Sequence, residues 1–226
     1  VLDISKIAAG KFEIDSHPFN LEELLETITS IMGMRARQKG LNFELMINDD
    51  VPVYLIGDSG RLRQIILNLT ANAIKFTNEG TISIIVKNEI EPETTAKIHF
   101  AVIDTGIGIP KEKQKIIFEA FTQAESSTTR QFGGTGLGLA ISSNIIQMWD
   151  GEIWVESPCA KRWSDAGGPG STFHFTARFG MQKDIAQKSK EDVIPNLKGC
   201  PVIVVDDNTT NRRVLEEMLV YWGMAP

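Results

Sequence analysis

The segment Ser171–Phe179 alternates without a break: Phe173, Phe175, Ala177 and Phe179 fall on one face, and His174, Thr176 and Arg178 on the other. A strand sends successive side chains to opposite faces, so this is a half-buried strand whose apolar side needs a covering layer. Three more segments alternate in the same way: TISIIVKN from Thr81, KIHFAVID from Lys97 and GEIWVES from Gly151. One apolar and one wetter sheet face call for helices on a single side, a two-layer α/β sandwich.

The covering helices can be read from their spacing. From Asn20 to about Gln38, Leu21, Leu24, Leu25, Ile28 and Ile31 recur every three or four residues, with Asn20 placed to cap the start and Gly40 to stop the end. A strand at Asn42–Ile47 follows, then a second amphipathic helix from about Gly60 to Phe76, buried through Leu62, Ile65, Ile66, Leu69 and Ala73. A short helix is expected over Lys111–Phe118 and an apolar one over Leu137–Trp149. Between them Gln123–Gly134 is polar, long and almost without apolar anchors, which predicts a mobile lid docked at its near end by Phe118 and Phe121. Pro158–Gly170 reads as an exposed loop.

Organisation changes at both ends. In VLDISKIAAGK, Val1, Ile4, Ile7 and Ala8 share a helical face before Gly10, so residues 1–14 read as the end of a helix. Residues 15–180 form the main domain, and 181–198, polar and aperiodic, a linker. In 199–226 the pattern restarts: an apolar strand, Pro201–Val205, runs into Asp206 and Asp207 ahead of a helix from about Thr209 to Trp222. So few residues, below the ~40 a small domain needs, bury no core alone, so a truncated second domain is expected.

Charge and composition exclude several classes. A formal net charge of −6 argues against broad attraction to nucleic acid or anionic lipid. Two cysteines, Cys159 and Cys200, make neither a disulfide framework nor a zinc cluster, which fits a reducing compartment, the cytoplasm. No apolar run approaches the ~18 residues of a membrane span, so any membrane anchoring would come from segments outside this sequence.

Three features carry chemistry. On the second helix Asn68, Asn72 and Lys75 stand at i, i+4 and i+7, in line with Arg61 and Gln64. DTGIGIP, Asp104–Pro110, puts a carboxylate at a strand end before two glycines that let backbone approach a ligand, a way to grip a flat polar ring. GGTGLGLA, Gly133–Ala140, leads a glycine run into a helix whose free amides suit phosphate oxygens. Each alone is weak; as a solvated face, a turn and a flexible run they would need no ligand. Their order on the elements a nucleotide site needs is far more specific.

With FEAF between the glycine runs, NLTANAIKF, DTGIGIP and GGTGLGLA resemble the asparagine, first glycine, phenylalanine and second glycine boxes of the histidine kinase ATP-binding domain, over about residues 15–180. The resemblance implies a two-layer α/β sandwich of the Bergerat type, with a mixed sheet, shared with gyrase, Hsp90 and MutL. It implies ATP and Mg2+ as cofactors, with Asn72 coordinating the magnesium, Asn68 supporting that face, Lys75 on phosphate and Phe76 lining the adenine pocket. Asp104 would accept from the adenine amine, Gly106 and Gly108 would shape the pocket, and Thr172 would help hold a water beside Asp104. Arg130 and Gln131 would reach phosphate from the lid, above the glycine box of Gly134, Thr135, Gly136, Leu137, Gly138 and Leu139. Asn72, Lys75 and Arg130 would be the catalytic set.

The flanks extend the resemblance to a hybrid sensor histidine kinase. Residues 1–14 resemble the exit of a dimerisation helix, and PVIVVDDNTTNRRVLEEML the start of a receiver, with Asp206 and Asp207 as its magnesium ligands. Implied partners are the protein's own dimerisation helices, in a homodimer, and the receiver. A clamp ATPase of the gyrase, Hsp90 or MutL type would carry a glutamate base four residues before the magnesium asparagine, where this chain has Asn68. A degenerate, nucleotide-holding module is the other rival. The three histidines read as structural: His17 precedes Pro18, which disfavours helical geometry, and His99 and His174 fall in strands. The acceptor histidine is expected on an upstream helix.

Overall fold

The computed structural model describes residues 14–89, 95–119, 137–158, 169–182, 199–205, 216, 219, 220, 224 and 225. It divides into two units, Val1–Gln182 and Lys183–Pro226.

The described elements of the first unit are β1 (His17–Asn20), α1 (Leu21–Gln38), β2 (Asn42–Ile47), β3 (Tyr54–Gly57), α2 (Ser59–Phe76), β4 (Thr81–Glu89), β5 (Thr95–Asp104), a 3-10 turn (Ile116–Phe118), α3 (Gly138–Met148), β6 (Ile153–Glu156) and β7 (Ser171–Met181). The strands make one mixed sheet in the order β1-β3-β7-β5-β4-β2, with β6 on β7. Only β2 and β4 pair in parallel; the other pairs are antiparallel. Registers such as Val102 opposite both Ile84 and Phe173, and Phe100 opposite Val86 and Phe175, align the apolar face. Phe100 and Phe175 stack there with centroids 4.6 Å apart. Against that face lie Leu25 and Ile28 of α1, Leu62, Ile65, Ile66 and Leu69 of α2, and Ile145 and Ile146 of α3, all fully buried. The two-layer sandwich with helices on one side is the observed architecture.

Both ends of α1 follow from local chemistry. Asn20 accepts from the Glu23 backbone amide at 3.1 Å while its own amide donates to Glu23 Oε1 at 3.1 Å, a reciprocal cap. At the other end Gly40, at φ +78°, lets Gly40 N–H reach Arg37 O and Leu41 N–H reach Ala36 O, closing the helix with Leu41 buried. Asn20→Ala should cost about 0.5–2 kcal/mol, read as a lower midpoint in urea with an unchanged slope. An unshifted midpoint would show that the cap contributes nothing.

Several expectations need correction. Ile31 is not in the core; it is 46% exposed, and the buried stripe passes from Ile28 to Met32 and Ala36 instead. Lys111–Phe118 is no α-helix but a string of turns ending in a 3-10 turn at Ile116–Phe118. The reason is local: Lys113 N–H bonds to Pro110 O, and Gln114 is drawn sideways, its amide donating to Ile109 O and Ser157 O. The edge strand β1 and its neighbour β3 were not anticipated. The helix over residues 1–13, the lid with Phe121, and most of the loop after Pro158 lie outside the described residues.

In the second unit the strand expected over Pro201–Val205 does not form. An isolated parallel bridge joins Pro201 to Ala225, and Ile203 and Val205 are 90% and 88% exposed. A buried parallel strand needs partners along its length and cover on both faces, and the described residues of this unit supply one bridge. Residues 216, 219 and 220 are helical, within the expected helix, and Asp206 and Asp207 lie outside the described residues.

Candidate functional site

The asparagine face is a by-product of how α2 is buried. Asp58 caps it by accepting from Arg61 N–H at 2.9 Å, and with Leu62, Ile65, Ile66, Leu69 and Ala73 on the core, Arg61, Gln64, Asn68, Asn72 and Lys75 share the partly accessible flank. Arg61 Nη1 donates to Gln64 Oε1 at 2.7 Å. At the helix end the Lys75 ammonium lies 4.7 Å from the centre of the Phe76 ring. Lys39, just past α1, donates through Nζ to Ile74 O at 2.7 Å and Lys75 O at 3.0 Å, satisfying carbonyls the last turn leaves open.

β5 delivers Asp104 to the same place. Its side chain is buried, and desolvation raises its pKa to about 6, opposed by hydrogen bonds from the backbone amides of Gly106 and Ser171. Gly106 N–H reaches Oδ1 at 2.9 Å. The turn then packs on the end of α2: Ile107 N–H donates to Phe76 O at 3.3 Å, and a Cβ on Gly106 would collide with that same carbonyl. Gly108 sits at φ +75°, where a Cβ would come within 2.9 Å of the Pro169 ring.

The second glycine run arrives from α3. Gly138 begins the helix so close to α2 that a Cβ there would overlap the Asn68 amide, and Asn68 Nδ2 donates to Ser142 Oγ at 3.1 Å. Two contact sets therefore meet α2, Gly138 and Ser142 against Asn68 in its middle and Asp104 with Gly106 against Phe76 at its end, with Asn72 and Lys75 on the stretch of helix between. Leu137 and Leu139 flank this helix start. Arg130, Gln131, Gly134, Thr135 and Gly136 lie outside the described residues.

Thr172 is placed elsewhere. The ladder sets Thr172 opposite Ile103, on the helix-free face, and Ser171 opposite Asp104. Ser171, not Thr172, is the residue beside the carboxylate. Sequence reasoning also missed Ser157, whose hydroxyl accepts from Ile109 N–H at 2.8 Å and donates to Gly170 O at 2.8 Å, pinning the loop after Asp104 to the start of β7. The strand alternation contained the Ser171 signal, since a residue sharing the face of Phe173 is even-spaced from it; Ser157 left none.

Among the histidines, His17 begins β1 and is exposed. His99 Nε2 and His174 Nδ1 are 3.1 Å apart with rings inclined by 9°, roofed by Trp154. An approach that short between nearly parallel rings is an in-plane hydrogen bond, which requires one unprotonated nitrogen. Burial lowers both pKa values, in keeping with a neutral pair on the helix-free face. No helix among the described residues is long and apolar enough to cross a membrane.

Comparison with known proteins agrees with this geometry. Residues 57–181 match the family described as histidine kinase-, DNA gyrase B-, and HSP90-like ATPase. The chain is 39% identical over 99% of its length to the sensor histidine kinase GacS of Pseudomonas protegens, covering 23% of that protein. It is 40% identical over 82% of its length to the signal transduction histidine-protein kinase BarA of Escherichia coli, covering 19% of it. It therefore spans about a fifth to a quarter of these relatives. Among solved structures, full-length ShkA in complex with AMPPNP superposes with a TM-score of 0.64 at 28% identity, over 99% of this chain and 42% of that one. The catalytic domain of histidine kinase ThkA gives 0.56 at 29% identity, over 73% and 97%. The matched residues contain the asparagine face, the buried carboxylate and both glycine turns, and the chain belongs to the histidine kinase-, DNA gyrase B-, and HSP90-like ATPase family, as the catalytic domain of its sensor histidine kinase kind.

Proposed function

We propose that this chain presents Mg-ATP for phosphoryl transfer to a histidine on an upstream helical domain, as the catalytic part of a hybrid sensor histidine kinase in a phosphorelay. The observation that carries this is Asp104: a carboxylate buried by the fold, met by backbone amides, at the edge of a glycine turn packed on the asparagine helix. Burying a charge costs stability unless a partner compensates, and a ligand donor such as the adenine amine is one. Asp104 reads the base; Gly106 and Gly108 shape the pocket by letting the turn pack against Phe76 and Pro169; Lys75 approaches phosphate oxygens from the asparagine face. Arg130, Gln131 and the run from Gly134 to Leu139 close over the phosphates.

Asn72, on the partly accessible flank of α2, would be the magnesium ligand, its amide oxygen being the neutral hard donor such an ion takes. Bound there with ATP it would supply charge neutralisation on the transferring group. The protein's own part is positioning: the bond from the γ-phosphorus to the bridging oxygen breaks, one to the acceptor imidazole nitrogen forms, and ADP leaves. Residues 1–14 belong to the dimerisation helices of a homodimer, 181–198 link the domains, and 199–226 open a receiver in which Asp206 and Asp207 hold magnesium. A phosphorelay supplied with ATP would work in the cytoplasm, with any membrane anchoring of the parent outside this chain.

Incubated with magnesium and radiolabelled ATP, the chain should bind nucleotide yet remain unlabelled, because His17, His99 and His174 are all in strands. Acid-labile phosphate on any of the three would overturn the reading, as would failure to bind adenine nucleotide.

A further inference from the structure

We infer that Ser142 is a positioning residue for the nucleotide site, acting through Asn68, and that Gly138 is glycine to make room for the same amide; this rests on the nucleotide reading above. Ser142 lies on α3 with 2% of its surface exposed, and its hydroxyl accepts from Asn68 Nδ2 at 3.1 Å across the junction with α2. A carboxamide has a donor end and an acceptor end, so this bond decides which faces where along α3: Nδ2 toward Ser142, Oδ1 over Gly138 at the start of the helix. Remove the hydroxyl and the amide loses both its partner and its preferred orientation.

Gly138 supports the same conclusion independently. It does not occupy the left-handed region, so its backbone torsion makes no demand for glycine, and glycine is a poor helix former at the start of α3. What excludes a side chain is Asn68: a Cβ would overlap Oδ1 and stand 2.9 Å from Cγ and 3.1 Å from Nδ2. Asn68, Gly138 and Ser142 thus form a latch between the helix bearing Asn72 and Lys75 and the helix whose first amides face the phosphates. The latch sets the separation of the two groups that must hold one triphosphate together, and positioning errors near 1 Å are costly in phosphoryl transfer.

Two double-mutant cycles test this, with magnesium-ATP affinity by calorimetry and folding by circular dichroism. Ser142→Ala should weaken binding roughly three- to tenfold when Asn68 is present and leave it within about twofold in an Asn68→Ala background. Gly138→Ala should weaken binding more than tenfold beside Asn68 and much less beside Ala, since the vacated space accepts the new methyl. Should Gly138→Ala fail to fold, the Ser142 cycle decides alone. Equal losses in both backgrounds would make Ser142 ordinary packing and overturn the latch. Wild type that binds no nucleotide would instead sink the functional reading on which the latch rests.

Discussion

Asp104→Asn should lose ATP affinity by roughly tenfold to a hundredfold and at the same time narrow the preference for ATP over GTP. An ionised carboxylate only accepts, so it complements the amine of adenine and opposes the carbonyl oxygen that guanine puts in that place; an amide can accept from the amine through its oxygen or donate to the carbonyl through its nitrogen. The pH dependence gives a second readout. Because the folded pKa, about 6, lies above the ordinary value of 3.8, the protein is penalised by this group as pH rises from about 4 to 6. Above pH 6 the penalty is complete, on the order of 3 kcal/mol for a group this buried. Nucleotide binding should run the other way, weakening as pH falls through about 6 because protonation removes the negative charge and turns one accepting oxygen into a donor. The mutant should lack both slopes and melt no lower than wild type at pH 8. Comparing wild type and mutant cancels the titration of the nucleotide's own phosphates. Equal wild-type affinity for ATP and GTP, or parallel pH profiles in the two proteins, would remove Asp104 from the base-reading role.

Gly106→Ala is expected to abolish measurable nucleotide binding at micromolar concentrations while leaving a folded protein, destabilised by about 1–3 kcal/mol. The added methyl meets the Phe76 carbonyl, 2.9 Å from its carbon, and lies 2.9 Å from Asp104 Oδ1. Neither neighbour gives easily: one is helix-terminal backbone and the other a buried, hydrogen-bonded carboxylate. The turn must therefore move away from α2, taking the adenine side of the site with it. Gly40→Ala is the natural control, since Gly40 needs its φ of +78° but has nothing within 4 Å of its missing Cβ. It should cost roughly 1 kcal/mol of stability and leave binding alone. Titration and thermal melts of both variants would decide the matter, and wild-type affinity in Gly106→Ala would refute the close-packed turn.

What could be read in advance follows the range of the forces involved. α2 was read to within a residue, with its buried apolar set complete and only Thr70 missed, because the 3.6-residue period and the sequence ahead of it are local signals. The four alternating strands were read for the same reason. β1 and β3 were not: each is four residues long, β1 contains Pro18, and each holds its place by pairing with a distant partner. Ile31 fits the helical period at the margin of the stripe, and only packing shows that Met32 takes the core. The boxes located Asn68, Asp104 and Gly138, but assigning the residue beside Asp104 required the ladder register, which sets Ser171 there and Thr172 on the other face. Ser157 and Ser142 act wholly through partners remote in sequence.

The β5–β7 ladder, in which Asp104 faces Ser171 across 67 positions of chain, also bears on how the molecule acquires its shape. Contacts this non-local are slow to form, because loop closure is costly before any pairing rewards it. The contacts that surround Asp104 draw on α2, β5 and β7 together, so no early, locally structured intermediate can contain them. A nucleotide that recognises only the completed arrangement cannot guide the search, yet it holds the result by mass action, raising the melting temperature in proportion to the logarithm of its concentration. Ligand-induced thermal shift is therefore a direct measure of long-range strand assembly in this chain, and a variant that folds locally but fails to close the ladder would reveal itself by melting at the same temperature with or without ATP.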